Sequence, residues 1–171
     1  MIGKKMEHAI NKQINAELYS AYLYLSMNAY FHFVNLEGFA NWMRIQALEE
    51  MTHADRLYRY LLERGGRAAM EPIEGPQHEW SSPLAAFEDV LKHEQKVTGL
   101  INALMDLAIE ERDHASASML GWFVDEQVEE EAGADGIVRK LRLVGSEGSG
   151  LFMLDRELGG RVFVPPAQAQ E

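Results

Sequence analysis

Apolar residues recur every three to four positions through most of the chain, which is the period of one face of an α-helix. The first such segment runs from about Met6 to Phe33. The second runs to about Arg64, with Asn35 as its predicted N-cap and two glycines at its end. Because the hinge between them is very short, we expect an antiparallel pair of helices. The apolar positions behind this prediction are Ile10, Ile14, Leu18, Tyr22, Leu25 and Ala29 in the first helix, and Phe39, Met43, Leu48, Leu57 and Leu61 in the second.

Residues 65–82 are rich in proline, glycine and serine and show no sustained period, so they are predicted to form a long connection. A connection of this length can cross the whole bundle, which would let a third helix run parallel to the second. That helix is predicted to begin with Ser82 as N-cap and Pro83 as its first residue, and to continue to about Glu111.

A fourth helix is predicted after a turn at residues 112–114, and it covers about Ala115 to Val144. A short fifth helix follows at about 150–158, and an extended, proline-containing tail fills 159–171. The sequence therefore predicts a single all-α domain: a four-helix bundle with a long crossover between its second and third helices and a short fifth helix. The apolar positions of the fourth helix are Leu120, Phe123, Val124, Val128, Val138 and Leu141.

The charge and composition of the chain narrow its function. Its 27 acidic and 16 basic residues give a net charge of −11, which would repel nucleic acid. The same excess would attract cations, although an acidic surface that serves solubility alone is an equally good interpretation. The absence of cysteine excludes disulfides and thiolate metal sites, and it fits a reducing cytoplasm. No export signal or uninterrupted apolar run is present, so a cytoplasmic protein without a membrane span is expected.

Potential metal ligands repeat between the two halves of the chain. Each ligand in the first helix pair has a counterpart 77 positions later in the second pair. Two helical hairpins with the same ligand spacing would pack with approximate two-fold symmetry, and their ligands would meet near the bundle axis. The matched pairs are Glu17 and Glu94, Glu49 and Glu126, Glu50 and Gln127, and His53 and Glu130.

The strongest single pair is Glu50 and His53, which lie three residues apart and therefore project from one helix face toward one metal ion. Most glutamates in helices lie on the surface and are solvated, and each glutamate of this set, taken singly, would be interpreted in that way. However, Glu50 and His53 share the apolar side of their helix, as Gln127 and Glu130 share theirs. Buried carboxylates this close would repel each other unless protons or a cation neutralise them, so a dinuclear metal pocket is predicted.

Three further glutamates, Glu49, Glu126 and Glu129, lie beside this face and with Glu130 form a second acidic cluster. The cluster indicates either a third metal position or a solvated charge run. Tyr24 returns to the helix face of Glu17 seven residues later, where its hydroxyl either bonds a ligand and supplies an electron or simply fills the core. Trp122 is interpreted as a core residue.

The chain resembles the non-haem ferritins of bacteria and archaea over nearly its whole length, to about Leu158. The segments that carry the resemblance are INAELYSAYLY, EEMTHADRLYRYL, KHEQKVT and GWFVDEQVEEE. Ferritin-like di-iron proteins use a Glu from each of two helices and Glu-x-x-His from the other two, and this chain departs from that pattern with Gln127-x-x-Glu130. The tail after Gly159 also departs from the simplest family pattern.

The resemblance implies iron storage and detoxification: Fe(II) is oxidised by dioxygen at the intrasubunit site, and Fe(III) mineral is stored inside a shell of 24 identical subunits. It implies a first iron on Glu17, Glu50 and His53, and a second on Glu50, Glu94 and Glu130 with Gln127 close by, so that Glu50 bridges the two. It further implies a third iron on the second acidic cluster. With Glu130 where a histidine would stand, the second site is expected to hold iron weakly enough for it to leave as product.

Four alternatives remain: a haem-containing bacterioferritin, a rubrerythrin-type enzyme, a mini-ferritin, which is disfavoured because its site lies between subunits, and a non-catalytic helical bundle with a structural or interaction role. Met51 occupies the position of the haem-ligating Met of bacterioferritins, but those proteins carry a second Glu-x-x-His on the fourth helix, so no haem is predicted. A rubrerythrin-type di-iron oxidase or peroxidase is disfavoured because the chain has no cysteine for a rubredoxin-like module.

Overall fold

The computed structural model describes residues 1–145 and 148–165, and it shows five α-helices in that part of the chain. Four long helices form a bundle and the short fifth packs against its end, which confirms the predicted fold class. None of the described helices is long and apolar enough to cross a membrane. The helices are α1 (Lys4–Phe33), α2 (Glu37–Glu63), α3 (Pro83–Glu110), α4 (His114–Val144) and α5 (Gly148–Leu158).

The crossover between α2 and α3 returns along the outside of α1. Asn11 Nδ2 donates a hydrogen bond to the carbonyl of Arg67 at 3.0 Å, and Ser26 Oγ donates to the carbonyl of Gln77 at 2.6 Å. The crossover therefore runs the length of the bundle from the end of α2 to the start of α3. As a result, α3 runs parallel to α2, as the length of the connection predicted.

The helix ends confirm one predicted cap and correct another. Ser82 accepts a hydrogen bond from the Ala85 amide at 3.1 Å, and Pro83 opens α3, both as predicted. Asn35 is not the N-cap of α2, because it has a φ of 58° and belongs to the turn that ends α1. Asparagine tolerates this left-handed conformation, so the turn is longer than predicted and Leu36 precedes α2.

Some of the predicted apolar positions are exposed in three of the helices. In α1, Tyr22 and Leu25 are each 50% exposed, and the buried stripe passes instead through Tyr24 and Met27. In α4, Val128 is 69% exposed beside the buried Gln127, and Leu48 of α2 is likewise exposed. In α2 and α4 polar side chains occupy core-facing positions here, so a pattern that counts only apolar residues moves to the neighbouring position. In α1 the exposed residues instead form a second apolar stripe beside the buried one.

The core consists of two apolar clusters separated along the bundle by a polar layer. One cluster surrounds the packed rings of Phe31, Phe39 and Phe87, near the start of α2 and α3. The other contains Leu57 and Phe123, toward the opposite end. The polar layer therefore lies in the middle of all four long helices, with apolar packing above and below it.

Candidate metal centre

The polar layer brings together five of the ligands that the sequence pairs. All five are buried, and each comes from the middle of its helix. Each stands at a position of the helical repeat that faces the core, in line with the apolar residues of that helix. Glu17, Glu50 and His53 form the first group, in which one ligand atom of each residue lies within 4.8 Å of the others. The buried ligands are Glu17 on α1, Glu50 and His53 on α2, Glu94 on α3 and Gln127 on α4.

A second group joins His53 to two partly buried glutamates of α4. Ligand atoms of His53, Glu126 and Glu130 also lie within 4.8 Å of one another. Gln46 Nε2 donates a hydrogen bond to Glu130 Oε2 at 2.8 Å, which fixes the direction of that carboxylate. His53 therefore belongs to both groups and connects the buried pocket with a more exposed acidic cluster.

Glu94 closes the pocket on the side of α3. The Tyr24 hydroxyl donates a hydrogen bond to Glu94 Oε1, and Gln127 Nε2 donates one to Glu94 Oε2 at 3.2 Å. From the sequence, Tyr24 is interpreted either as a residue that bonds a ligand or as a plain core residue. Its hydroxyl does contact the candidate ligand Glu94. Gln127 directs its amide nitrogen toward Glu94, so in this arrangement it orients a candidate ligand and does not itself offer an oxygen to a metal ion.

The carboxyl groups of the pocket favour their protonated forms in the absence of a cation. Burial, and then the neighbouring Glu50, raise the pKa of Glu17 well above its usual value. Burial and the charge of Glu94 do the same to the pKa of Glu50. Burial and Glu130 raise the pKa of Glu94 to about 7, although hydrogen bonds from Tyr24 and Gln127 lower it. A cation in the pocket would replace these protons.

Two oxygen atoms in the pocket are available to such a cation. Glu17 Oε2 and Glu50 Oε2 are buried and accept no hydrogen bond from an N–H or hydroxyl group of the described residues. The only donor that each can find nearby among these residues is a proton on the other carboxyl group. His53 Nδ1 lies 3.4 Å from Glu50 Oε2, but this long contact does not meet the geometry of a hydrogen bond. Buried oxygens without donors are costly unless an ion binds them. Carboxylate oxygens suit hard cations and imidazole suits first-row transition metals, so this mixed set of ligands fits iron as well as other divalent metals.

The remaining predicted ligands lie at the edge of this centre. Glu49 faces the charges of Glu130, His53 and Glu126, and burial raises its pKa although the cation of Arg161 partly offsets this. Glu129 is exposed and belongs to neither ligand group. The pKa of Glu126 is raised mainly by burial, and the charges of Glu130 and Glu129 raise it further.

Trp122 is partly buried against the apolar cluster that contains Leu57 and Phe123, as predicted, and it also borders the metal centre. Its ring lies 5.3 Å from that of His53, edge to face, and the guanidinium of Arg56 lies 4.1 Å above it. Trp122 therefore limits the directions in which the imidazole can turn.

Sequence reasoning missed two buried amides that hold the ligands. Gln13 Nε2 donates a hydrogen bond to Glu17 Oε1 at 2.8 Å, and Gln46 holds Glu130. Each amide stands four residues before a buried glutamate, Gln13 before Glu17 and Gln46 before Glu50. This spacing puts each amide on the core-facing stripe of its helix, and that was the signal that could have identified them.

The comparisons with known proteins agree with this geometry. The model of the ferritin-like domain matches residues 7–144. The bacterial non-haem ferritin of Bacteroides fragilis is 46% identical over 161 residues, which cover 94% of this chain and all of the relative. That of Staphylococcus aureus is 38% identical and covers 95% of this chain and 98% of the relative.

Solved structures of an archaeal ferritin are also similar. An open-pore ferritin from Archaeoglobus fulgidus is 52% identical with a TM-score of 0.94, and covers 95% of this chain and all of its own. A variant of the A. fulgidus ferritin engineered to a closed form gives a TM-score of 0.95 at the same identity, with 96% and 100% covered. The chain therefore belongs to the ferritin family, as a non-haem ferritin.

Proposed function

We propose that this protein oxidises Fe(II) with dioxygen in the buried pocket and stores the Fe(III) product as mineral inside a closed homo-oligomer. The observation that carries the proposal is the layer of buried carboxylates around Glu17, Glu50 and His53, with oxygen atoms that lack donors. Such a layer is unfavourable as a mere core and favourable as a cation site. The names of the relatives, bacterial non-haem ferritins, support iron storage without haem.

In this proposal the substrate is a pair of Fe(II) ions. Glu17, Glu50 and His53 bind the first, Glu94 and Glu130 bind the second, and Glu50 bridges the two. Each Fe(II) gives one electron to dioxygen, so that two electrons and two protons yield hydrogen peroxide. The hydroxyl of Tyr24 and the amide of Gln127 orient Glu94 toward the second ion.

The oxidised iron then leaves toward the second acidic cluster, formed by Glu49, Glu126, Glu129 and Glu130, which we call the outer acidic group. Glu126 and Glu130, with Glu49 and Glu129 beside them, supply oxygen ligands for a third position there. Because His53 belongs to both groups, an ion can pass between them without losing every ligand. We expect no haem in this process.

The assembly we propose is a shell of 24 subunits in the cytoplasm. Tyr22, Leu25 and Ala29 are exposed and share one face of α1, which leaves an apolar stripe for a second copy to cover.

The test is stopped-flow absorbance after two Fe(II) per subunit are mixed with aerated buffer. Wild type should oxidise the iron rapidly, and Glu50→Ala and His53→Ala should lose the rapid phase because each removes a ligand from the pocket. Glu63→Ala on the exposed side of α2 and His78→Ala in the exposed crossover are matched controls, and they should behave as wild type. Equally slow oxidation in all five proteins would reject the proposal.

A further inference from the structure

The chain beyond α5 folds back along α2 and reaches the outer acidic group. Asn41 Nδ2 donates to the carbonyls of Leu158 at 3.3 Å and Arg161 at 3.0 Å, which fixes the start of this segment. Residues 163–165 then line a cavity of about 370 Å³ together with Glu49, His53 and Glu126. We call residues 161–165 the tail strap, because they lie across the side of the centre where the second ligand group opens.

Arg161 joins the tail strap to the acidic group. Its Nη2 donates to Glu49 Oε2 at 2.6 Å, and its guanidinium carbon lies 4.9 Å above the ring of Trp42. Its side chain is 28% exposed, and its Nη1 is buried with no hydrogen-bond partner among residues 1–145 and 148–165. The chain thus places one of its own cations against a carboxylate that faces Glu126, Glu130 and His53.

A divalent cation and this guanidinium would compete for the same carboxylate. The Glu49 carboxylate can contribute fully to a metal only if Arg161 moves, because two cations on one carboxylate repel each other. Among the described residues, the strap is held by the side chain of Arg161, through the ion pair and the stacking on Trp42, and by the cavity wall that residues 163–165 line. If the Arg161 side chain leaves Glu49, residues 162–165 can therefore move while the backbone of Arg161 stays bonded to Asn41.

We propose that Arg161 sets the cation affinity of the outer acidic group: it holds Glu49 while the group is empty, and a divalent cation displaces it and frees the tail strap. This inference rests on the proposed function only in taking iron as the natural cation. In this inference the tail strap covers the outer acidic group. The strap opens when a cation binds to that group.

The first test is calorimetric titration of the assembled protein with Zn(II), which stays in one oxidation state. We take the weaker class of Zn(II) sites as the outer acidic group and the tighter class as the buried pocket. Arg161→Gln should lower the dissociation constant of the weaker class about fivefold, which corresponds to the upper range of the free energy of a partly exposed ion pair. It should leave the tighter class unchanged. Arg156→Gln removes the same charge from an exposed position on α5 and should leave both classes unchanged. In a Glu49→Gln background, Arg161→Gln should have no further effect.

The second test follows the strap itself. Because the chain has no cysteine, Val162→Cys provides a single attachment site for a nitroxide label, and Val162 is exposed. The electron paramagnetic resonance spectrum should show a clear increase in label mobility as Zn(II) fills the weaker sites. In the Arg161→Gln background the label should be mobile before Zn(II) is added.

Several outcomes would overturn the inference. Equal Zn(II) affinities in wild type, Arg161→Gln and Arg156→Gln would do so. A label whose mobility does not change after all sites are filled would do so as well. Arg161→Lys, which keeps the charge, guards against a folding artefact because it should bind Zn(II) nearly as wild type does. Neither test involves oxidation, so failure of the Glu50 and His53 variants to slow iron oxidation would reject the proposed function and leave this inference standing.

Discussion

Glu94 combines opposing influences on one carboxyl group. Burial and the charge of Glu130 favour its protonated form, while hydrogen bonds from Tyr24 and Gln127 favour the carboxylate, and the result is a pKa of about 7. Its ordinary value is 4.5, so the folded protein binds this proton more tightly than the unfolded chain does. The pocket is therefore poised to exchange a proton for a cation close to neutral pH.

Metal-free protein should consequently lose stability as the pH rises. The protonated Glu94 contributes to the free energy of unfolding fully below pH 4.5, and this contribution is lost as the pH rises through about 7. The loss is about 3 kcal/mol at most. The free energy of unfolding, measured with a chelator between pH 5 and 8.5, should fall across this range. Glu94→Gln should make the decline shallower because it removes one titrating group, while the raised pKa values of Glu17 and Glu50 keep part of it. Glu110→Gln, on the exposed end of α3, should leave the decline unchanged. A decline equally steep in both variants would contradict this assignment.

At the residue scale, the sequence predicted the ligands better than their partners. Glu17, Glu50, His53 and Glu94 could be paired because their spacing repeats between the two halves of the chain. Arg161 could not, because its contact with Glu49 depends on how the tail folds back, and no periodicity encodes that path. The ligand assignments themselves stay predictions until the variants are measured.

At the element scale, the placement of α5 depends on a close approach to the start of α2. Asp155 Oδ1 accepts hydrogen bonds from the amides of Gly38 at 2.8 Å and Phe39 at 3.1 Å. This carboxylate caps a helix whose own N-cap, Leu36, has no side-chain acceptor. The same contact fixes the point from which the tail strap begins its path toward Glu49.

Gly38→Ala should destabilise the protein by displacing α5. A Cβ atom at Gly38 would lie 1.6 Å from the carbonyl oxygen of Asp155, so the backbone of one helix would have to move. We expect a loss of about 1–3 kcal/mol, measured by chemical denaturation. Gly99→Ala is the matched control, because its Cβ would meet nothing within 4 Å, and it should stabilise α3 by about 0.5–1 kcal/mol. A Gly38→Ala variant as stable as wild type would mean that α5 does not dock in this way.

The helices themselves were predictable because their apolar periods are long and their connections are punctuated by glycine, proline and serine. The contact between α5 and α2 was not, because Asp155 and Gly38 are 117 residues apart and neither stands out alone. The Asn35 cap was wrong for a related reason: an asparagine before a helix fits both an N-cap and a left-handed turn residue, and only the packing of α1 against α2 selects between them.

At the scale of the whole molecule, an acidic surface surrounds a bundle that leaves part of its apolar surface open. The net charge of −11 opposes close approach of two copies, so any contact between subunits has to bury enough apolar area to exceed that repulsion. The face of α1 that carries Tyr22, Leu25 and Ala29 offers such area. This was the face that the sequence pattern mistook for core, and the mistake is informative because an exposed apolar stripe resembles a buried one in sequence.

Leu25→Arg should therefore block or weaken assembly while leaving the bundle folded. Leu25 is 50% exposed in the single subunit, so the charged side chain can reach solvent there, but it would be buried without a partner in an interface between two copies. Light scattering should show a large particle for wild type and for the apolar control Leu25→Met, and a much smaller species for Leu25→Arg. Circular dichroism should show the same helix content in all three. If Leu25→Arg assembles as wild type does, the α1 stripe is not an interface, and a different surface must hold the subunits together.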